Sequence, residues 1–139
     1  MTNTAPLWVS ALPPDQTMFA EIVAQTLETL PEDFRQAAGA VALQITDFAP
    51  DTFLAEMSLD DPFELTGLYT GTPLTEKSVM DQPMEPDTIW LFRRPILDEW
   101  VARGDIELGA LIAHVFIHEL AHHFGWSDGD IATIAPWQD

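Results

Sequence analysis

The sequence predicts an α+β domain, because one chain combines segments typical of helices with segments typical of strands. Five segments have the length and apolar spacing of helices, and three shorter ones have the alternating or apolar pattern of strands. Prolines and glycines separate them, and the sequence contains no internal repeat. An apolar fraction of 47% in 139 residues is enough for a buried core. We therefore expect a single domain over residues 1–139.

The first three predicted elements are two helices and a strand. Residues 15–29 place apolar side chains at helical spacing, and Asp15 is a typical N-cap residue. Residues 31–38 form a second, shorter helix, which Gly39 ends. Residues 41–48 alternate apolar side chains with smaller or polar ones, which predicts a strand with at least one buried face.

The middle of the chain predicts two further strands between two short helices. A short helix covers residues 51–57, and strands cover residues 65–70 and 87–93. A helix over residues 95–102 follows, with Pro95 at its first position, where the missing N–H group is tolerated.

The longest predicted element is a helix over residues 105–124. Asp105 is its candidate N-cap, and Gly125 is placed to end it in the left-handed conformation. Apolar residues cover nearly all its faces, so we expect it to be buried in the domain. Polar side chains on such a helix need partners, because an unsatisfied buried polar group costs about 1–3 kcal/mol.

Charge and composition exclude several classes of function. Twenty-three acidic residues against five basic ones give a net charge of −18, which repels nucleic acid and anionic lipid and favours cationic partners. Most of this charge is interpreted as a solubilising surface. Residues 1–14 have no signal-peptide pattern and no segment resembles a membrane span, so we expect a cytoplasmic protein. Because cysteine is absent, nitrogen and oxygen must hold any metal.

The last predicted helix contains the segment His-Glu-Leu-Ala-His at residues 118–122. At about 3.6 residues per turn, His118 and His122 share one face, and both imidazoles can bind one metal ion. Glu119 lies about 100° from His118, where a carboxylate can act as general base for a water that the metal activates. In a buried helix this metal site is favoured over hydrogen-bonded core histidines.

Asp128 is the candidate for the third metal ligand. Gly125 permits the chain to turn back after the helix, and Asp128 follows three residues later. Ser127 and Asp130 resemble the capping box of a short last helix, which would place Asp128 in its first turn. The two roles are compatible, and the ligand role is favoured. Two imidazoles, a carboxylate and an open position indicate one zinc ion, although these ligand types also fit manganese, iron or nickel.

Five other polar residues receive no catalytic role from the sequence. His114 lies one turn before His118, and a buried, hydrogen-bonded role is favoured for it over a ligand role. His123 is expected to support a metal ligand or to be structural. Tyr69, Arg93 and Arg94 are able to polarise a substrate carbonyl, but such residues more often pack or lie at the surface.

The segment 118–128 resembles the signature of the small bacterial zincin-like metallopeptidase family. The resemblance continues through residues 66–78 and 89–97 and covers most of the chain. It implies a minimal zincin fold, in which a small mixed sheet is packed with helices and the motif helix runs beneath the sheet. The ligand set that it implies is His118, His122 and Asp128, with Glu119 as general base.

The leading hypothesis is a zinc-dependent metallopeptidase that acts on a peptide or protein substrate. The acidic surface would favour basic peptides, and a strand edge at residues 65–70 would pair with an extended substrate. The alternative is a metal-binding interaction module with little or no proteolytic activity, because so short a chain has little room for a walled cleft. A third hypothesis is that the metal only stabilises the fold. No pattern specifies an oligomeric state.

Overall fold

The computed structural model describes residues 14–71 and 87–125, which form five α-helices, one 3-10 helix and a three-stranded sheet. In chain order the elements are α1 (Gln16–Thr29), α2 (Glu32–Ala38), β1 (Ala42–Thr46), α3 (Asp51–Glu56), the 3-10 helix (Pro62–Glu64), β2 (Gly67–Thr70), β3 (Thr88–Phe92), α4 (Arg93–Arg103) and α5 (Leu108–His123). The predicted α+β class is confirmed.

The sheet is mixed and has β3 at its centre. Its strand order is β1-β3-β2, with β1 parallel and β2 antiparallel to β3. Ala42 of β1 lies opposite Thr88, and Gly67 of β2 lies opposite Leu91. Within the described residues, β1 and β2 are therefore edge strands. The mixed sheet implied by the family resemblance is present.

Alternate residues of β3 enter two different apolar clusters. Ile89 and Leu91 belong to the main core, which also contains residues of α1 and α5. Phe92 belongs to a smaller cluster on the other face, where it meets Leu54 of α3 and Leu65. Because a strand presents successive side chains to opposite faces, both faces of β3 are covered.

Helix α5 is buried along almost its whole length, as its apolar composition predicts. It packs against α1, α4, β2 and β3, and every residue of α5 except Ala110 is buried or partly buried. No helix in the described part of the chain is long and apolar enough to cross a membrane.

The predicted N-cap of α1 is confirmed, but that of α5 is wrong. The Asp15 side chain accepts a hydrogen bond from the backbone N–H of Met18 at 2.9 Å. Helix α5 begins at Leu108, so its N-cap residue is Glu107 and Asp105 lies outside it. Leu108 is the first residue of this segment whose side chain is buried in the core. Tertiary packing, rather than the capping pattern, therefore fixes where α5 begins.

The predicted boundary between β3 and α4 is also displaced. The strand ends at Phe92 and the helix begins at Arg93. Pro95 therefore lies within the first turn of α4, where backbone N–H groups have no partner inside the helix. At the end of α5, Gly125 has the predicted left-handed conformation with φ of 87°, and its N–H donates to the His122 carbonyl at 2.9 Å.

Candidate metal centre

His118 and His122 lie side by side on α5, as the i,i+4 spacing predicts. Their ring centroids are 4.9 Å apart and the ring planes are inclined by 73°. Both side chains are partly buried. The helix therefore presents two imidazole rings on one face, close enough together to bind one metal ion.

A cavity of about 230 Å³ opens beside His118. Its walls come from the chain before β2, from the C-terminal half of α4 and from one face of α5, and the residues are Thr66, Glu99, Arg103, His114, Val115, His118 and Glu119. Glu119 and His118 thus face the same cavity. A carboxylate beside an imidazole in a partly enclosed space is suited to proton transfer at a reacting group.

Strand β2 passes very close to Glu119. A Cβ atom at Gly67 would lie 2.7 Å from Val115 Cγ1, 3.1 Å from the Trp90 carbonyl oxygen and 3.3 Å from Glu119 Cγ. Only glycine lets β2 lie this close to the side chains of α5 without displacing a neighbour. Strand β2 therefore packs directly against the part of α5 that contains Glu119.

His123 lies on the sheet side of α5 and is 1% exposed. Its Nδ1 atom is 3.2 Å from Asp87 Oδ2 and 3.1 Å from the hydroxyl oxygen of Tyr69. Asp87 immediately precedes β3 and is itself buried, and Tyr69 belongs to β2. These contacts tie the last turn of α5 to two strands, in agreement with the structural role expected for His123.

His114 is less buried than expected and lies at the cavity. Its side chain is partly buried and lines the cavity. Its ring centroid lies 6.3 Å from that of His118. The cavity wall thus contains two imidazoles from α5, those of His114 and His118.

Arg93 and Arg94, which the sequence leaves as candidates to polarise a carbonyl, make their contacts away from the cavity. Arg93 donates from Nε to Asp47 Oδ1 at 2.9 Å and from Nη1 to the Pro14 carbonyl at 3.1 Å. The hydrogen bond from Arg93 lowers the pKa of the Asp47 carboxyl below its ordinary value. Arg94 is exposed, with its guanidinium carbon 6.0 Å from the centre of the Phe48 ring.

The arginine that does line the cavity is Arg103, which sequence reasoning missed. It ends α4, and its Nε donates to Glu99 Oε2 at 2.8 Å. The available signal was the i,i+4 spacing of Glu99 and Arg103, but this spacing alone indicates only an ion pair on a helix surface. The packing of α4 against α5 is what makes the pair part of the cavity.

The predicted third ligand, Asp128, lies outside the described residues, so its role stays a prediction. Among residues 14–71 and 87–125, no group of three or more histidine, cysteine, aspartate or glutamate side chains could hold a metal ion. The paired imidazoles of His118 and His122 are donors that suit zinc. The residues in place therefore fit a zinc ion that takes its remaining ligands from elsewhere.

Comparison with known proteins identifies one family. The family model described as zincin-like metallopeptidase matches residues 38–137, which is 100 of the 139 residues. The matched range contains the sheet, α4 and α5, and it also includes Asp128. No curated protein matches the chain.

Proposed function

Because the chain belongs to the zincin-like metallopeptidase family, we propose that it is a zinc-dependent hydrolase that cleaves peptide bonds. The observation that carries the proposal is the arrangement on α5, where His118 lies beside the ring of His122 and lines a cavity together with Glu119. The family supports hydrolysis as the reaction class, and this arrangement supports specific residues for it.

His118 and His122 are the proposed zinc ligands, and Asp128 is the proposed third. A bound zinc ion supplies Lewis acidity, which polarises the scissile carbonyl and makes water more acidic. The helix fixes the relative positions of the two histidines before any metal binds, because both belong to one turn of α5. This preorganisation favours binding of the metal over an arrangement on loops.

Glu119 is the proposed general base. Its carboxylate takes a proton from the attacking water and then transfers that proton to the leaving amine. Strand β2 lies close to Glu119 at Gly67, which limits the space in which the Glu119 side chain can move. A positioned acid–base group of this kind typically contributes about 10²–10⁴-fold to the rate.

The edge strand β2 is the proposed place for the substrate backbone. It pairs with β3 on one side, and among the described residues its other side has no strand partner. An extended peptide can add to such an edge through main-chain hydrogen bonds. Since β2 passes over Glu119, this edge would guide a peptide past the proposed general base. The net charge of −18 would attract basic peptides from solution.

The test compares wild-type protein with the Glu119→Gln variant, both loaded with zinc. We expect hydrolysis of a mixed peptide panel, followed by mass spectrometry, to fall by at least about 10²-fold while the zinc content stays at the wild-type level. The variant loses the proton acceptor but keeps both histidines. Glu107→Gln is the matched control, because Glu107 is an exposed residue at the start of the same helix. Undiminished hydrolysis by Glu119→Gln would rule out this mechanism.

The size of the cavity favours one alternative. Pockets for small molecules typically enclose about 300–1,000 Å³, whereas this one encloses about 230 Å³. A metal-binding interaction module that keeps the site without efficient proteolysis would need no larger cleft. Stoichiometric zinc without cleavage of any peptide in the panel would favour this module over the peptidase.

A further inference from the structure

We propose that Arg103, held in place by Glu99, forms a subsite for a carboxylate group, so that substrates of this protein carry a carboxylate close to the bond that is cleaved. The inference rests on the proposed function and narrows it to a class of substrate. It concerns the wall of the cavity formed by α4, opposite the motif residues of α5.

The hydrogen bonding of Arg103 leaves the end of its guanidinium available. In the described part of the chain, Arg103 is bonded through Nε alone, to Glu99 Oε2 at 2.8 Å. A guanidinium has five N–H donors in a planar fork, and the two Nη atoms together match the two oxygens of a carboxylate. Glu99 thus occupies one edge of the fork, and the other end can bind a second carboxylate in a bidentate manner.

The partial burial of Arg103 strengthens the attraction of its guanidinium for a carboxylate. Its side chain is 30% exposed and that of Glu99 is 34% exposed, so the pair is partly shielded from water. Partial shielding strengthens a charged contact relative to one at the open surface. The ion pair also restricts the rotamers of a long side chain before a ligand arrives, which reduces the entropy lost on binding.

Arg103 stands out against the charge of the whole molecule. The chain has only five basic residues and a net charge of −18. Three other arginines make contacts elsewhere: Arg35 pairs with Glu32, Arg93 pairs with Asp47, and Arg94 lies over Phe48. The negative charge of the whole molecule repels a free anion in solution. Arg103 therefore acts at short range, where it favours a carboxylate on a peptide that other contacts already hold in the cavity.

The small cavity connects this subsite to the reaction. Arg103 and Glu119 line the same space of about 230 Å³, so a carboxylate bound by Arg103 must be near the group that Glu119 acts on. Two parts of a peptide can supply such a carboxylate, namely its C-terminus or an acidic side chain beside the scissile bond. Both would bind the fork through the same chemistry.

The test measures binding, which does not depend on turnover. Zinc-loaded Glu119→Gln protein is titrated by calorimetry with three N-acetylated alanine tetrapeptides: one with a free C-terminal acid, one with a C-terminal amide, and one amide with a single internal glutamate. We expect a carboxylate-bearing peptide to bind about 10-fold or more tightly than the plain amide, because charged hydrogen bonds are lost with the carboxylate. Adding Arg103→Gln should abolish this preference.

The matched control is Arg35→Gln in the same background. Arg35 also belongs to an ion pair within one helix, with Glu32 at 3.6 Å, but it does not line the cavity. Its replacement removes the same charge and should leave the preference unchanged. Arg103→Lys keeps the charge without the planar fork and should retain only part of the preference. If Arg103→Gln fails the circular dichroism check for folding, the lysine variant provides the comparison.

Preference for the free acid would support the subsite and identify the C-terminus as its ligand, whereas preference for the glutamate peptide would support it with an acidic side chain as ligand. Equal binding of all three peptides, or no binding of any, would overturn the subsite. A preference that is undiminished in Arg103→Gln or, where that variant does not fold, in Arg103→Lys would overturn the role of Arg103. Failure of the proposed hydrolysis is a separate result, because wild-type protein would then bind carboxylate peptides without cleaving them.

Discussion

Two adjacent histidines at the end of α5 have opposite surroundings. His122 is partly buried and lies next to the ring of His118, on the side of the proposed metal site. His123 is 1% exposed and contacts Asp87 and Tyr69 on the side of the sheet. A rotation of about 100° per residue is enough to separate them. Side-chain environment, rather than residue type, therefore distinguishes the face that fixes the helix from the face proposed to bind the metal.

The sheet side of this helix depends on glycines that let the strands come close. Gly71 has φ of 144°, and a Cβ atom there would collide with the Asp87 carboxylate. Gly67 permits the approach of β2 to Glu119. Gly67 begins β2 and permits its approach to α5, whereas Gly71 follows the last residue of β2 and permits the approach to Asp87 before β3.

Replacing each of the two histidines by alanine should separate effects on metal binding from effects on stability. We expect His122→Ala to weaken zinc binding by more than about 100-fold, because loss of the proposed direct ligand would exceed the 10–100-fold effect of losing a group that only supports one. His123→Ala should instead lower the free energy of unfolding of the metal-free protein by about 1–3 kcal/mol, because buried Asp87 loses a hydrogen-bonding partner. Zinc affinity comes from competition with a chelator, and stability comes from urea denaturation.

Two results would contradict the separate roles of His122 and His123. If folded His123→Ala protein lost as much zinc affinity as His122→Ala, the sheet side and the metal side of α5 would not be separate functions. If both substitutions lowered the free energy of unfolding equally, His123 would not have a greater structural role than His122.

A methyl group added at Gly67 should disturb the contact between the sheet and the metal side. We expect Gly67→Ala to lower the free energy of unfolding by about 1–3 kcal/mol, because its Cβ would lie 2.7 Å from Val115 Cγ1 and must displace a packed neighbour. The displacement acts next to Glu119, so any peptide hydrolysis should fall as well. Urea denaturation and the peptide assay measure the two effects.

Gly109→Ala is the matched control for this substitution. Gly109 is also on α5, but a Cβ there would find its nearest neighbour, Ile22 Cδ1, at 3.9 Å. Alanine is favoured over glycine inside a helix by roughly 0.5–1 kcal/mol, so this variant should be more stable than wild type. If both variants shifted stability in the same direction, close packing at Gly67 would not be the cause.

The motif could be placed from the sequence because the features that define it are local. The i,i+4 spacing puts His118 and His122 on one face of any helix, and Gly125 ends that helix through its own conformational freedom. The position of residues 65–70 as an edge strand is consistent with β2 in the described sheet. The spacing of the histidines and the conformation of Gly125 need no knowledge of distant contacts.

The features that escaped prediction depend on contacts between residues far apart in the chain. His123 and Tyr69 are 54 residues apart, and nothing in the local sequence links them. Arg103 becomes part of the cavity only because α4 packs on α5. Asp105 has the residue type of an N-cap, but the burial of Leu108 moves the start of α5 to a later residue. Local patterns predict elements, whereas the walls of a site follow from how the elements pack.

The smallest effect is expected from the ion pair of Asp47 and Arg93, which provides an exposed counterpart to the buried contact of Asp87 and His123. The hydrogen bond from Arg93 lowers the pKa of Asp47 below its ordinary value of 3.8. The pair therefore stabilises the fold above about pH 4, and this contribution is lost as the pH falls through the lowered pKa. Asp47→Asn should thus be slightly less stable than wild type at pH 7, and the difference should shrink towards pH 3.

Salt distinguishes this exposed pair from the buried contact. The side chain of Asp47 is 54% exposed, so added salt should screen its attraction to Arg93 and reduce the effect of Asp47→Asn at pH 7. Asp87 is 7% exposed, and the loss of stability in His123→Ala should change little with salt. Urea midpoints at low and high ionic strength measure both responses. A salt dependence as strong for His123→Ala as for Asp47→Asn would contradict the assignment of His123 to a dry contact between α5 and the sheet.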